Sequence, residues 1–586
     1  MDQWHSDLLI NIISYFNVLD ATAYASTSRR MYYLIHQYGR LLGPQLVSGS
    51  YNPNDNNNND DDNDDDMEEE EDNVSKMYQT SLEKLCSRPN LALAFGARRQ
   101  NDNDADLSCL LQRRLPGDAV VLGASASHIQ ANCADRVDAD CASALMLGSF
   151  PPNQTRILPF CASNHRVDGL LEKLQQGTPK KEEEEDGVQL SNYWKVFIVY
   201  VCGAGYAAES FVSGLQKQYP DAAIVGGICN SGYVSSDHKE EEEEEETPSR
   251  HDLSKMTVRQ LRNVYRQYGG DDRYAAHVDQ EEILEATWKL IAATSSQQYR
   301  VKQVTDGIFG IALGGSVPVR SIVSRGVRSV TTSGGESSCW FVERVIYAEP
   351  GDEDYVFRGD PALLKPVHMV RYIRNAVTGQ LISPTALYSK VHDDPEYVGI
   401  CRPGADGFEL HPANPFSFRL GCLVLMTDGS DEQALPLDGA NFDLFTLDGQ
   451  ACLDDLDVTL DRLQQVTAHE KILGGVMFSC SGRGPSQRSM LGESMADATR
   501  FHRHFPNVPC LGFYAGGEIG PAALAGNRHN VYQRGKAALQ GFTVVFALFI
   551  VPVVEPGSIH INDSDQAVAE FLQEQWPLLK KTSLSA

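Results

Sequence analysis

Apolar residues recur at helical spacing at the head of the chain: Leu8, Leu9, Ile12, Ile13 and Phe16 form one stripe, and Ala21, Tyr24 and Ala25 a second. Two or three short helices are predicted over residues 7–42. Beyond residue 81 the texture changes to short apolar runs punctuated by glycine and proline, at 91–95, 119–122, 196–201, 222–225, 308–313, 420–426, 476–478 and 542–551. Runs of this length predict strands, and helical patterns lie between them. The expected fold class is mixed α/β, or α+β once the leading helices are counted, with mixed sheets covered by helices.

The body repeats itself. In one copy the strand 196–201 runs into Cys202-Gly203-Ala204-Gly205, a helix-like stretch leads to Tyr219-Pro220, and a strand ends at Gly226-Gly227. In the other, 476–478 runs into Cys480-Ser481-Gly482-Arg483-Gly484, a helix-like stretch reaches Phe505-Pro506, and a strand ends at Gly512. In both the first glycine stands six residues after the proline, and each copy closes on a similar strand, at 307–313 and 541–548. A weaker echo lies upstream, where 91–96 is followed by Leu115-Pro116 and 120–123. A duplicated α/β unit is expected.

Charge changes the picture mainly by its location. Of a net charge of −29, residues 55–72 hold 12 acids, 182–186 hold 5 and 240–246 hold 7, leaving about −5 for the rest of the 586 residues. Charge so concentrated describes solvated, self-repelling spacers and argues against non-specific phosphate binding. Thirteen scattered cysteines, with no Cys-x-x-Cys pair and no Cys/His cluster, suit a reducing compartment better than a disulfide framework or a zinc site. No signal peptide is visible, and the longest apolar run, 541–554, has 14 residues where a spanning helix needs about 20. It reads as a buried strand, so a cytoplasmic or nuclear protein without a membrane segment is expected.

Residues 234–306 interrupt the first copy. After the glutamate run, helical patterns at 255–267 and 280–292 flank Gly269-Gly270, a helical-hairpin insert that resembles a SAP-like hairpin. Lys255, Arg259, Arg262 and Arg266 would share one helix face. The segment as a whole is nearly neutral, so a solvated or docking face is expected rather than nucleic-acid binding.

Two family resemblances follow from longer matches. Asp7-Leu8-Leu9, Ser14-Tyr15-Phe16, Leu19-Asp20-Ala21 and Ser28-Arg29-Arg30-Met31-Tyr32-Tyr33-Leu34 stand in the register of an F-box, with Trp4-His5 in place of the usual Leu-Pro and Met31 in place of the usual Trp. The segments Phe478-Ser479-Cys480-Ser481-Gly482-Arg483-Gly484, Val508-Pro509-Cys510-Leu511-Gly512-Phe513-Tyr514-Ala515-Gly516-Gly517-Glu518-Ile519-Gly520-Pro521 and Gly541-Phe542-Thr543 resemble the FIST domain, named for F-box and intracellular signal transduction proteins. The implied layout is an F-box-like helical domain at 1–45, an acidic disordered linker at 46–80 and a FIST N-terminal part at 81–235. The acidic run and hairpin insert follow at 236–300, the end of the N-terminal part at 301–350, a FIST C-terminal domain at 351–555 and a tail at 556–586.

The resemblance implies a non-catalytic substrate-receptor subunit of a Skp1, cullin and F-box ubiquitin ligase. Leu8, Leu9, Ile12, Ile13, Phe16 and Leu19 would be the apolar anchors on Skp1, and a client protein would sit on the FIST body. The fold's bacterial relatives imply an alternative, a sensor of a small amino-acid-like ligand. For such a ligand the glycine turns are the candidate site. Cys480, Gly482, Gly484, Gly516 and Gly517 let backbone approach a ligand, Arg483 offers a fork to a carboxylate, and Glu518 accepts from an ammonium. Equally open is that Arg483 and Glu518 pair with each other, and that Cys480 is either a thiolate favoured by a nearby cation or a buried inert thiol. No hydrolase elbow, phosphate-binding loop or His-Glu-x-x-His occurs, so no catalytic residue, metal or cofactor is expected.

Overall fold

The computed structural model describes, with short interruptions, residues 31–51, 66–97, 111–163, 167–177, 193–237, 250–267, 279–355, 367–426 and 437–551, with Gln566 beyond them. The expected F-box anchors Leu8, Leu9, Ile12, Ile13, Phe16 and Leu19 lie outside the described residues. The described part is a mixed α/β protein of four sheets.

Three of these sheets are copies of one design, so the duplication read from the sequence is a triplication. The first unit supplies strands Gln45–Tyr51, Leu91–Ala97, Val120–Ala126 and Ser143–Ser149; the second, Thr155–Ala162, Trp194–Cys202, Ala223–Cys229 and Gly307–Gly315; the third, Val319–Arg325, Lys471–Cys480, Cys510–Ala515 and Thr543–Val551. In each unit the second and third strands run parallel. The fourth is antiparallel to the second, and the first pairs antiparallel outside the fourth. A helix follows each first strand, at Asp66–Glu83, Val167–Gln176 and Gly449–Val466. The parallel step requires a crossover, and helices Tyr206–Gln218 and Ala496–His504 supply it in the second and third units.

The units are locked together by exchange. Each third strand is followed by a hairpin that leaves its own sheet: Ile129–Asn132 pairs with the third unit, Ser231–Asp237 with the first, and Glu518–Ala523 with the second. The swap closes a ring, so each of the three six-stranded sheets depends on a neighbouring unit. Inside the ring, Phe95, Tyr200 and Phe478 occupy equivalent positions on the three second strands and belong to one core. Tyr200 stands 5.7 Å from Phe478 and 6.4 Å from Phe95, ring centre to ring centre. Each such burial contributes about 1.5–3 kcal/mol before entropy is charged, and the aromatic pairs add about 0.5–1.5 kcal/mol.

The repeated glycine now has a cause. Gly226 pairs with Val199 and Gly512 with Met477; a Cβ would stand 1.7 Å from the Val199 carbonyl oxygen in one case and 1.6 Å from the Met477 oxygen in the other. At Gly123, equivalent in the first unit, a Cβ would stand 2.1 Å from the Tyr233 ring. Gly512→Ala is expected to part the parallel pair and cost about 3 kcal/mol, the upper end for an overpacked core. The change reads as a lower urea midpoint at unchanged m; an unaltered midpoint would refute this account.

Part of the expected acidic linker at 46–80 is ordered structure. Residues 45–51 form an edge strand in register with 143–149, and on the helix Asp66–Glu83 the side chains of Met77, Tyr78 and Leu82 are buried on the first sheet. The acids mask the apolar residues that anchor the element. Residues 327–447, assigned by sequence to the FIST parts, carry the fourth sheet, nine antiparallel strands with a core of their own that includes Trp340, Val370, Ile400 and Phe442. It is inserted between the first two strands of the third unit. Within the 236–300 segment, helices Arg250–Ser254, Val258–Gln267 and Gln280–Ser295 share a small core of Leu253, Leu261, Tyr265 and Ile283. Among the described residues no helix is long and apolar enough to cross a membrane.

Candidate functional site

Arg483 closes the short 3-10 turn Ser481–Arg483 that ends the strand Lys471–Cys480, and its side chain is fully buried. Its fork meets Asp497, with Nε donating to Oδ2 at 3.1 Å and Nη2 to Oδ1 at 2.6 Å, and both side chains are at 0% exposure. Asp497 lies in the first turn of helix Ala496–His504, entered through Met495 in the left-handed region at φ 54°. The expected alternative of an Arg483–Glu518 pair is thus corrected: the partner is Asp497. Burial opposes the guanidinium charge, but the Asp497 carboxylate outweighs it and raises the pKa. Nη1 has no hydrogen-bond partner.

Glu518 begins the exchanged strand Glu518–Ala523 and is also at 0% exposure. Its Oε2 accepts from the Thr543 N–H at 3.1 Å and the Thr543 hydroxyl at 2.7 Å; Oε1 has no hydrogen-bond partner. Burial pushes its pKa up to about 8, and the Thr543 donors and the Arg483 charge offset only part of that. The Cys480 thiol adjoins this carboxyl. Burial, followed by the Glu518 charge, pushes the thiol up to about 11 against the N–H groups of Gly482 and Phe542. A cation-activated thiolate is therefore not what the structure holds, because burial and the adjoining Glu518 carboxyl keep the thiol protonated.

Two of the glycines serve the ring. Gly516 and Gly517 are the crossover where the third unit's chain passes into the second sheet, the Gly516 N–H donating to the Ile228 carbonyl at 3.0 Å and the Ile228 N–H to the Gly517 carbonyl at 2.9 Å. Gly484 lies against the Ser481 carbonyl and the Tyr514 ring, each 3.1 Å from where its Cβ would be. At Gly482 a Cβ would stand 3.4 Å from the Phe542 ring. The structure thus gathers the partly exposed Cys480 with the fully buried Arg483 and Glu518 at one locus, while Gly516 stays exposed.

Several residues of this locus escaped the sequence reading. Asp455 accepts from the Ser324 hydroxyl at 2.7 Å and the Arg325 N–H at 2.9 Å. The Arg325 side chain reaches Gln540 at 3.3 Å and lies 5.9 Å from the Tyr397 ring centre; burial lowers its pKa. Thr543 and Asp497 complete the set. Only Asp497 carried a local signal, an acid at a helix start. Among the described residues no group of three His, Cys, Asp or Glu side chains is placed to hold a metal ion.

Residues 90–243 match the FIST N domain and residues 437–521 the FIST C domain. The chain carries both FIST domains. The FIST N match runs through the first and second units, and the FIST C match contains Cys480, Arg483, Asp497 and Glu518. An uncharacterised protein of Mycobacterium tuberculosis is 34% identical over 112 residues, 19% of this chain and 25% of that protein. An F-box/LRR-repeat protein of Arabidopsis thaliana is 33% identical over 106 residues, 17% of this chain and 20% of that one. F-box only protein 22 of Homo sapiens is 39% identical over 64 residues, 11% of this chain and 15% of that one. The chain thus spans a quarter or less of the length of these curated relatives.

Proposed function

We propose that this FIST protein is a substrate-receptor subunit of a Skp1, cullin and F-box ubiquitin ligase, cytoplasmic or nuclear and without catalysis of its own. The carrying observation is the combination in one chain of a leading stretch in F-box register with both FIST domains, similar in sequence to two proteins named for their F-box. Skp1 takes the stripe of Leu8, Leu9, Ile12, Ile13, Phe16 and Leu19, and the ring of three units carries the client. Each anchor contributes about 1.5–3 kcal/mol before association costs, so docking needs several. The engagement of Arg483 by Asp497 and of Glu518 by Thr543 inside the protein supports this reading over a ligand site there.

The full chain is expected to co-purify with a Skp1-like protein and to lose it on Leu9→Asp with Ile13→Asp. Retention of Skp1 by the double variant, or its absence from the wild-type preparation, refutes the adaptor role.

One observation favours a second reading, a sensor of an amino-acid-like ligand: Arg483 Nη1 and Glu518 Oε1 are buried without partners. A small zwitterion reaching them would raise the melting temperature with the logarithm of its concentration above the dissociation constant.

A further inference from the structure

Away from the buried locus, a cleft of about 1120 Å³ opens where the second sheet meets the edge of the third. Its floor is apolar, with Ile224, Val317, Ile322 and Leu463, and four cations stand around it: Lys195, Arg320, Arg462 and Lys536. Asp221 is the acid in the lining. Arg320 is held by Glu470 at 2.7 Å and Lys536 by Glu409 at 3.6 Å, both exposed pairs that exchange partners at little cost. The half-buried Lys195 ammonium has no carboxylate partner among the described residues. Thr459 also lines the cleft, 2% exposed and with its hydroxyl lacking a hydrogen-bond partner.

One wall is a strand edge left unpaired among the described residues. Within these, Val319–Arg325 is the last strand of its sheet and pairs only with Thr543–Val551. The Arg325 N–H turns away from that partner to Asp455. Backbone groups alternate sides along an antiparallel strand, so those of Val323, Ser321 and Val319 face the open edge too. Helix Gly449–Val466 meets the Arg325 end through Asp455 and lines the cleft through Thr459, Arg462, Leu463 and Val466, alongside Val319 and Ser321. An open edge accepts an added strand.

We propose that this cleft binds an extended acidic peptide segment, which adds as a strand to the 319–321 edge, lays alternate apolar side chains on the floor and points a carboxylate at Lys195. A free small anion would use the cations but neither the apolar floor nor the backbone edge. The inference rests on the adaptor reading for its occupant, a client presenting such a segment.

The test uses the full chain and a fluorescein-labelled octapeptide of alternating glutamate and valine, read by anisotropy. Saturable, salt-sensitive binding is expected, and Lys195→Glu should weaken it about tenfold or more, the loss of one charge-assisted contact. Ser321→Pro removes an N–H that faces the cleft and spares the rungs to 543–551, as an edge strand tolerates; it should weaken binding comparably, as should backbone N-methylation of the peptide. Unchanged melting temperatures show that the variants fold. No binding by the folded wild type, equal binding of the lysine-for-glutamate peptide, or indifference to both variants overturns the proposal. Skp1 co-purification is scored on the same wild-type preparation: Skp1 present without peptide binding sinks this inference alone, and peptide binding present without Skp1 sinks the adaptor reading alone.

Discussion

Arg483→Met is expected to destabilise the third unit by about 3–5 kcal/mol, the cost of stranding one partner of a buried ion pair. The bidentate contact to Asp497 is sealed at 0% exposure on both sides, so the abandoned carboxylate can neither reach water nor find another cation at hand. Restoring neutrality should matter more than restoring charge. Arg483→Met combined with Asp497→Leu replaces the pair by apolar volume and should recover most of the loss, because a buried pair contributes little beyond the apolar packing that replaces it. Urea denaturation of the two single variants and the double variant closes a cycle. A single-variant loss below about 1 kcal/mol would mean that water enters the locus.

Glu518→Gln should change the pH dependence of stability more than its level in acid. The Glu518 carboxyl titrates near 8 in the folded protein, from an ordinary value of 4.5, because burial disfavours its charge. Below the unfolded value both states hold the proton and the group contributes its full stabilising share. As the pH rises from there, the unfolded chain gives the proton up while the folded protein keeps it. Stability then falls by up to about 1.4 kcal/mol per pH unit until the folded value near 8 is passed. Glutamine keeps an oxygen for the Thr543 donors and has nothing to titrate. The variant's urea midpoint should therefore hold steady between about pH 5 and 8 while the wild type's declines, so that above the folded value the variant is the more stable. Parallel profiles would show that Glu518 is ionised at neutrality and that its burial is relieved by a contact the geometry lacks.

Periodicity, glycine spacing and charge location made much legible from the sequence alone. The strands at 196–201, 308–313, 476–478 and 542–551 were announced by apolar runs because both faces of those strands are buried. The glycine six residues past each proline was visible as a repeat because backbone crowding at Gly226 and Gly512 admits no side chain. The first unit's kinship was faint: its strands bury the same face, but acids crowd the run before its helix, and its equivalent glycine, Gly123, is demanded by the Tyr233 ring rather than by a carbonyl. Sequence likewise placed Cys480, Arg483 and Glu518 among the notable residues, but not their partners. A guanidinium buried by folding takes whichever carboxylate the packing brings to it, and Asp497 won that position through a left-handed turn at Met495. The exchange of hairpins around the ring, the strand edge at Ser321 and the gathering of Lys195 with Arg462 join residues hundreds of positions apart. Local pattern records which face of a segment is buried. Only the closed ring decides what that face, and the edge beside it, meets.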